Sequence, residues 1–209
     1  IPLANIANRH GRIVADHIAG KEVREVKTIG TAIVKVFDLV IATTGWNEKR
    51  LKSAGIAHLM IHTHPNSHAG YYPNAQQMTL KLLFSPITGE IFGAQAVGND
   101  GVDKRIDVIA TAMRGGISAP QLADLELAYA PPFGSAKDPV NMLGYISENV
   151  LSGLTPTAQW HQVEDLKSDG YTILDVRSAG EVSRGSIPNS VNINIDELRE
   201  HKEEIPTGK

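Results

Sequence analysis

Thr79–Gly98 reads TLKLLFSPITGEIFGAQAVG, and its alternation spells a hairpin. With Met78 just ahead, Leu80, Leu82 and Phe84 fall on one face at the period-two spacing of a strand. Pro86–Gly89 supplies turn residues, and Glu90–Val97 returns as a second apolar strand. Two such strands with one apolar face predict a half-buried antiparallel sheet.

Upstream, Ile13, Val14 and Ile18 recur at helical spacing within Asn8–Ile18, Gly20 can end that helix as a left-handed cap, and Gly11 suggests close backbone approach. Thr31–Thr43, rich in Val, Ile and Phe, reads as a strand or a pair of strands. Asn47–Ala54 is a predicted helix with Asn47 as N-cap and Gly55 beyond its end, and His58–Thr63 is a short strand. Downstream, Val102, Ile106, Ile109 and Met113 form one stripe of an amphipathic helix that stops at Gly115–Gly116. The capping-box spacing of Ser118 and Gln121 predicts a further helix to about Leu127, before the Pro131–Pro132 break. Val140, Leu143, Ile146 and Val150 mark another. Strands followed by helices, without regular alternation, argue for an α+β fold in which an antiparallel sheet is covered by helices.

Ser152–Thr157, SGLTPT, is a linker by composition. Beyond it Trp160–Leu166 reads as helix, Thr172–Val176 as a buried strand, and Gly185–Ile195 as a loop entering a strand, with a short acidic helix to follow.

The chain has 209 residues, 42% of them hydrophobic, enough for a sizeable core in one large or two smaller domains. Its 20 basic and 23 acidic residues are scattered and leave a net charge of −3, so no electrostatic footprint for nucleic acid or an anionic membrane is visible. No run approaches the ~18–20 apolar residues of a membrane span, and no signal segment opens the chain. The absence of cysteine agrees with a reducing compartment, and the default expectation is cytoplasmic.

The hairpin closely resembles the C-terminal interface domain of the flavin-dependent pyridine nucleotide-disulfide oxidoreductases, where a strand ending in TG is followed by (I/L)-x-G-A-Q-A-V-G. Ile1–Gly20, IPLANIANRHGRIVADHIAG, resembles the last helix of that family's flavin domain, with Pro2, Leu3 and Ala4 approaching the flavin ring. Leu174–Leu198, LDVRSAGEVSRGSIPNSVNINIDEL, resembles the first half of a rhodanese domain. The resemblance implies a terminal helix of an FAD-binding domain over 1–20, a dimerisation domain over 21–151, a linker over 152–157 and a partial α/β rhodanese-like domain over 158–209. With no cysteine for the family's reactive thiol and no G-x-G-x-x-G turn for a dinucleotide, the 209 residues are expected to be a fragment of a longer enzyme. The rhodanese sulfur-carrying Cys would lie past Lys209.

Two motifs sharpen the family. HAGYYPNA, His68–Ala75, resembles the H-A-x-Y-Y-P-x-A loop of coenzyme A-disulfide reductases and NADH-dependent persulfide reductases, and AYAPPF, Ala128–Phe133, resembles their second tyrosine motif. In that subfamily one tyrosine from each motif reaches across a homodimer into the partner's active site, which implies Tyr129 and either Tyr71 or the adjacent Tyr72. A phenol can donate a hydrogen bond to a sulfur leaving group without carrying charge at neutral pH. The bland alternative is three interface aromatics with satisfied hydroxyls. Glutathione reductase-type enzymes instead use a His within H-P-T-x-x-E; here YAPPFGSAKDP has neither His nor Glu, which favours a single-cysteine enzyme cycling through a mixed disulfide or persulfide. FAD, NADH or NADPH, and coenzyme A follow as implied cofactors of the parent. In the rhodanese-like part Asp175, Arg177 and Glu181 match that family's positions near the sulfur-carrying loop, with a structural ion-pair network as the alternative.

Two further sets have rival readings. IHTHP, Ile61–Pro65, is similar to the H-x-H-P of zinc isopeptidases, so His62 and His64 could serve a metal-dependent hydrolase; that signature also needs a Ser and an Asp, and no acid follows until Glu90. Solvated loop histidines, His68 included, are the alternative. Lys104, Arg105 and Asp107 read as the solvated face of a helix, or as charges paired across a dimer. A purely non-catalytic dimerisation module is the remaining alternative for the chain as a whole.

Overall fold

The computed structural model describes residues 3–24 and 27–205. They belong to two compact units, Ile1–Pro156 and Thr157–Lys209. In the first, α1 (Ala4–Ile18), β1 (Ala32–Val36), β2 (Leu39–Gly45), α2 (Glu48–Ser53), β3 (Leu59–Thr63), β4 (Met78–Phe84), β5 (Ile91–Gly98) and α3 (Val102–Gly115) precede a 3-10 turn at Pro120–Asp124 and α4 (Pro139–Leu151). The strands form one five-stranded antiparallel sheet in the order β1-β2-β5-β4-β3.

The hairpin forms its centre. Leu80 faces Ala96 and Leu82 faces Ala94. Ser85 closes the turn: its Oγ accepts from the N–H groups of Ile87 at 3.2 Å and Thr88 at 3.1 Å, and its own N–H donates to Glu90 O at 2.9 Å. Gly89 supplies the left-handed φ of +69° that the return needs. Leu80, Leu82 and Phe84, with Ala94 and Ala96, then meet Ile106, Ile109 and Ala112 of α3 and Val140 and Leu143 of α4 in one core. Helix α3 lies over β2 and β5, and α4 over β3 and the 3-10 turn. The fold is α+β, an antiparallel sheet covered by helices.

Lys81 and Leu83 alternate to the opposite face. There α2 is tied down by Glu48, whose carboxylate takes Lys81 and Lys52 at 2.5 Å each. Asn47 caps that helix by accepting from Arg50 N at 2.9 Å.

Three expectations change. Helix α1 begins at Ala4 rather than Asn8, and a Cβ at Gly11 would meet nothing within 4 Å, so no backbone approaches it; Ile6 is the helix's buried residue, while Val14 and Ile18 are exposed. The helix expected to run to Leu127 is a single 3-10 turn ending at Asp124. Ser118 and Gln121 do bond, Oε1 of Gln121 accepting from Ser118 N at 2.9 Å. However, Asn141 Nδ2 donates to the carbonyls of Leu122, Ala123 and Leu125 at 2.9–3.3 Å, which takes the acceptors an α-helix would use. In the second unit the buried strand over Thr172–Val176 is reduced to β6 (Leu174–Asp175), half-buried and paired in parallel with β7 (Val191–Asn192). With one two-residue neighbour among the described residues, it has no second ladder to cover it. That unit also holds a 3-10 turn at Trp160–Gln162 continuing into α5 (Val163–Ser168), α6 (Ala179–Val182), and a 3-10 turn at Lys202–Glu204. No described helix is long and apolar enough to cross a membrane.

Two stability outcomes follow. Gly144 of α4 lies against the 3-10 turn so closely that a Cβ would meet the backbone of Leu122 and Ala123, with Leu122 C at 2.7 Å. Alanine gains ~1 kcal/mol of helix propensity, but displacing packed backbone costs more. Gly144→Ala should therefore destabilise the first unit by ~1–3 kcal/mol net, read from the urea midpoint by Trp46 fluorescence in a Trp160→Phe background. Hydrogen bonds from Lys52 and then Lys81 lower Glu48 from 4.5 to about 2. A carboxylate held that low stabilises the fold fully above its unfolded value, and the gain drains away as pH falls from 4.5 towards 2. Wild type should melt above Glu48→Gln near neutral pH, and the gap should close across that acid window and shrink with salt.

Candidate functional site

The polar loop between β3 and β4 has a buried stem and an exposed tip. Ser67, His68 and Ala69 are buried. Ser67 N donates to Gln76 O at 2.8 Å, and Gln76 N returns to Ser67 Oγ at 3.2 Å. His68, expected among solvated histidines, is instead covered: its Nδ1 lies 3.2 Å from Ala69 O, and its ring meets Tyr72 edge-on at 5.8 Å. The tip carries Tyr71 outward.

The second tyrosine segment runs from Tyr129 to Asp138, the N-cap of α4. Asp138 Oδ1 accepts from Val140 N at 3.0 Å while Asn141 Oδ1 accepts from Asp138 N at 3.1 Å, a capping box with Pro139 in the first turn. The two segments are stitched together by Ala69 N donating to Gly134 O at 2.9 Å.

Arg105 lies at this junction. The helix-face expectation fails for it: it is 1% exposed. Its Nε and Nη2 donate to the two oxygens of Asp138 at 3.3 and 2.9 Å, and Nη2 donates to Ser67 O at 2.8 Å. Lys104 approaches the same carboxylate at 3.5 Å from a more exposed position. The sequence did carry a signal for Arg105, since it falls at i+3 from Val102 and i−4 from Ile109, inside the apolar stripe. The DPVN spelling of Asp138–Asn141 marked the cap.

This scaffold brings Tyr71 and Tyr129 together, with hydroxyl oxygens 3.3 Å apart. Tyr72 takes no part in that contact; its ring packs on His68. Tyr71 is 78% exposed and Tyr129 48%, so both phenols are open to a ligand. The Tyr71 hydroxyl raises the Tyr129 phenol above its ordinary value of 10.0 and keeps it protonated. When one phenol donates to the other, the second retains an O–H aimed outward, and the shared bond polarises it as a donor. The pair can donate to a developing anion without introducing a formal charge.

The metal arrangement does not assemble. Across the β3–β4 register His62 lies opposite Lys81 rather than opposite an acid or a second histidine. His64 Nδ1 is 3.0 Å from Thr79 Oγ1. Among the described residues no three His, Asp or Glu side chains are grouped to hold a metal ion. Of the residues expected at a flavin rim, Pro2 lies outside the described residues, while Leu3 and Ala4 line a small cavity with Thr31 and Asp107.

In the second unit, Arg177 clasps Asp175 with contacts of 2.6–3.2 Å and donates to Gly185 O at 2.9 Å. Each holds the other in its charged form, Arg177 lowering Asp175 and Asp175 raising Arg177. Glu181 is employed differently: its Oε2 accepts from Ser178 Oγ at 2.7 Å and Ser178 N at 3.0 Å, capping α6. Asp175 and Arg177 line an open groove with Trp160 and Ile187.

A family model described as the pyridine nucleotide-disulphide oxidoreductase dimerisation domain matches residues 31–139, and one for a rhodanese-like domain matches 158–208. A coenzyme A disulfide reductase of Staphylococcus aureus (strain bovine RF122 / ET3-1) is 40% identical over 146 residues, 69% of this chain and 33% of the relative. The crystal structure of reduced Bacillus anthracis CoADR-RHD aligns with TM-score 0.94 and 51% identity over 99% of this chain and 37% of that one. A NAD-dependent persulfide reductase from A. fulgidus aligns with TM-score 0.88 and 38% identity over 98% of this chain and 37% of that one. The chain thus spans about a third of the length of the relatives it matches. With the family model spanning the antiparallel sheet and the α3 helix that covers it, the chain belongs to the pyridine nucleotide-disulphide oxidoreductase dimerisation-domain family and carries a rhodanese-like domain after it.

Proposed function

We propose that this chain is the C-terminal part of an FAD- and NAD(P)H-dependent reductase of coenzyme A disulfide or of persulfide sulfur. Within it, residues 21–151 form the homodimer interface, and Tyr71 and Tyr129 face the sulfur chemistry of the partner subunit. The observation that carries this reading is the meeting of Tyr71 and Tyr129, at 3.3 Å, from two motifs far apart in sequence. Relatives described as a coenzyme A disulfide reductase and a persulfide reductase support the substrate class. The rhodanese-like domain supports sulfane sulfur passed as a persulfide. There Asp175 and Arg177 would support the sulfur-carrying loop, and Glu181 would stiffen the helix beside it.

When bound, the flavin supplies the electrons that pass from the nicotinamide to sulfur. The chain's residues fit a role at its rim: Leu3, the N-cap of α1, gives no side-chain cap and the first turn holds no acid, so, with Ile6 N alone taken by Asn5 Oδ1 at 2.7 Å, the positive end of the helix can face an electron-rich ring. Leu3 and Ala4 would form that rim, with Pro2 ahead of them. The exposed Val14 and Ile18 of α1 offer an apolar seat for a flavin domain. At the tyrosine pair, a phenol donates to the thiolate as the sulfur–sulfur bond breaks. The bond strengthens as charge develops, so it acts on the transition state more than on the resting disulfide.

In the flavin-loaded enzyme, Tyr129→Phe should lower kcat roughly ten- to hundred-fold with little change in KM. Tyr71→Phe should fall in the same range, and Tyr72→Phe should stay near wild type. Unchanged kinetics in Tyr129→Phe and Tyr71→Phe would reduce the pair to interface aromatics. The 209-residue chain should also run as a two-fold dimer by light scattering at micromolar concentration; a strict monomer would count against the interface assignment.

A further inference from the structure

We propose that Arg105, acting through Asp138, is a positioning residue that locks the two tyrosine-bearing segments together so that the Tyr71 and Tyr129 hydroxyls meet. This rests on the reading of those tyrosines given above. The guanidinium reaches three pieces of chain from the first turn of α3: Ser67 O at the stem of the Tyr71 loop, the Asp138 carboxylate that ends the Tyr129 segment, and Gly101 O at 3.3 Å. Gly101 makes room for it, since a Cβ there would collide with Nη1. Together with the Ala69–Gly134 backbone bond, Arg105 holds both segments at once, behind the hydroxyl contact at their tips.

Energetics explain why a charge would sit here. An apolar side chain of similar volume, continuing the Val102–Ile109 stripe, would often stabilise such a site as well as or better than a buried ion pair, because each ion loses its hydration. An apolar residue, however, has no directional bonds. The planar fork fixes two directions simultaneously, towards a carbonyl of one segment and a carboxylate of the other. Lysine could serve either but not both with the same geometry. Lys104, at 3.5 Å from Asp138, would still neutralise the carboxylate if Arg105 were changed, so charge balance alone does not require Arg105. What the fork adds is registration of two segments whose tyrosine-bearing tips are exposed while their anchors, Ser67 and Asp138, are buried. The hydroxyl contact at 3.3 Å is near the long limit of a hydrogen bond, so a shift of a few tenths of an ångström would break it.

The test is the titration of the Tyr129 phenol, followed by fluorine NMR in the 209-residue chain carrying 3-fluorotyrosine, with the Tyr129 signal assigned by its loss in Tyr129→Phe. In wild type the Tyr71 hydroxyl raises that titration. In Arg105→Lys it should fall to the midpoint seen in Tyr71→Phe, and the double variant should show no further change. A merely structural residue would lower the melting temperature and leave the Tyr129 midpoint in place, so a folded Arg105→Lys with wild-type titration overturns the proposal. Asp138→Asn keeps the N-cap acceptor for Val140 while removing half of the ion pair, and should move the midpoint the same way. Failure of both variants to fold would assign the pair to the fold alone and likewise overturn it. In the flavin-loaded enzyme, Arg105→Lys should lower kcat roughly ten-fold with KM nearly constant. If the titration moves but Tyr129→Phe leaves kcat untouched, positioning stands and the catalytic reading of the tyrosines falls. If Tyr129→Phe lowers kcat while Arg105→Lys changes neither readout, the catalytic reading stands and positioning falls.

Discussion

The buried contact between Arg105 and Asp138 is the constraint around which the first unit is arranged. It joins α3 to the N-terminus of α4 and to the loop between β3 and β4, with side chains only 2% and 4% exposed. Asp138 has a double task, since the same carboxylate caps α4 at Val140 N. Helix α4 therefore begins where the ion pair places it. Its third residue, Asn141, both completes the capping box and gathers the carbonyls of Leu122, Ala123 and Leu125, so one turn of helix organises the segment that enters it and the 3-10 turn that packs on it.

The sheet below is held by different means on its two faces. Towards α3 and α4 the contact is apolar and close, with Ala94 and Ala96 of β5 giving the helices room and Gly144 letting the backbone of the 3-10 turn touch α4. On the other face, Leu83 is buried and Lys81 is drawn to Glu48 of α2. Burial of hydrocarbon sets the gross arrangement there, as it does on the core face. The Lys81–Glu48–Lys52 contact orients α2 at modest energetic gain, because Lys52 remains in water.

Around the tyrosines the chemistry is notable for what neutral phenols can do. A histidine acid must hold its own charge in the right state; a phenol remains protonated across the neutral range and stabilises an anion by hydrogen bonding alone. The contact between Tyr71 and Tyr129 reinforces this by raising the Tyr129 phenol. The second unit relies on the same economy of caps and forks: Arg177 spans Asp175 and Gly185, Asn192 donates to the carbonyls of Asp175 and Arg177 at 2.8 and 2.9 Å, and Glu181 caps α6.

Local pattern was enough to place most elements. Alternation over Met78–Phe84, the i, i+4, i+7 stripe from Val102, and the caps at Asn47 and Gly116 are short-range consequences of strand and helix geometry, so they can be seen in the residues themselves. The α+β class followed from their order. Where local signals competed with distant partners, the partners prevailed: Ser118 and Gln121 announced a helix, but Asn141 on a later helix captured its carbonyls. Arg105 looked like a surface charge because charge ordinarily means solvent, although its place in the apolar stripe said otherwise. Only the tertiary structure could show that Asp138 faces it, that His68 is covered, and that Tyr71 rather than Tyr72 reaches Tyr129, because each depends on a contact between segments separated by tens of residues and on the directions in which side chains leave the backbone.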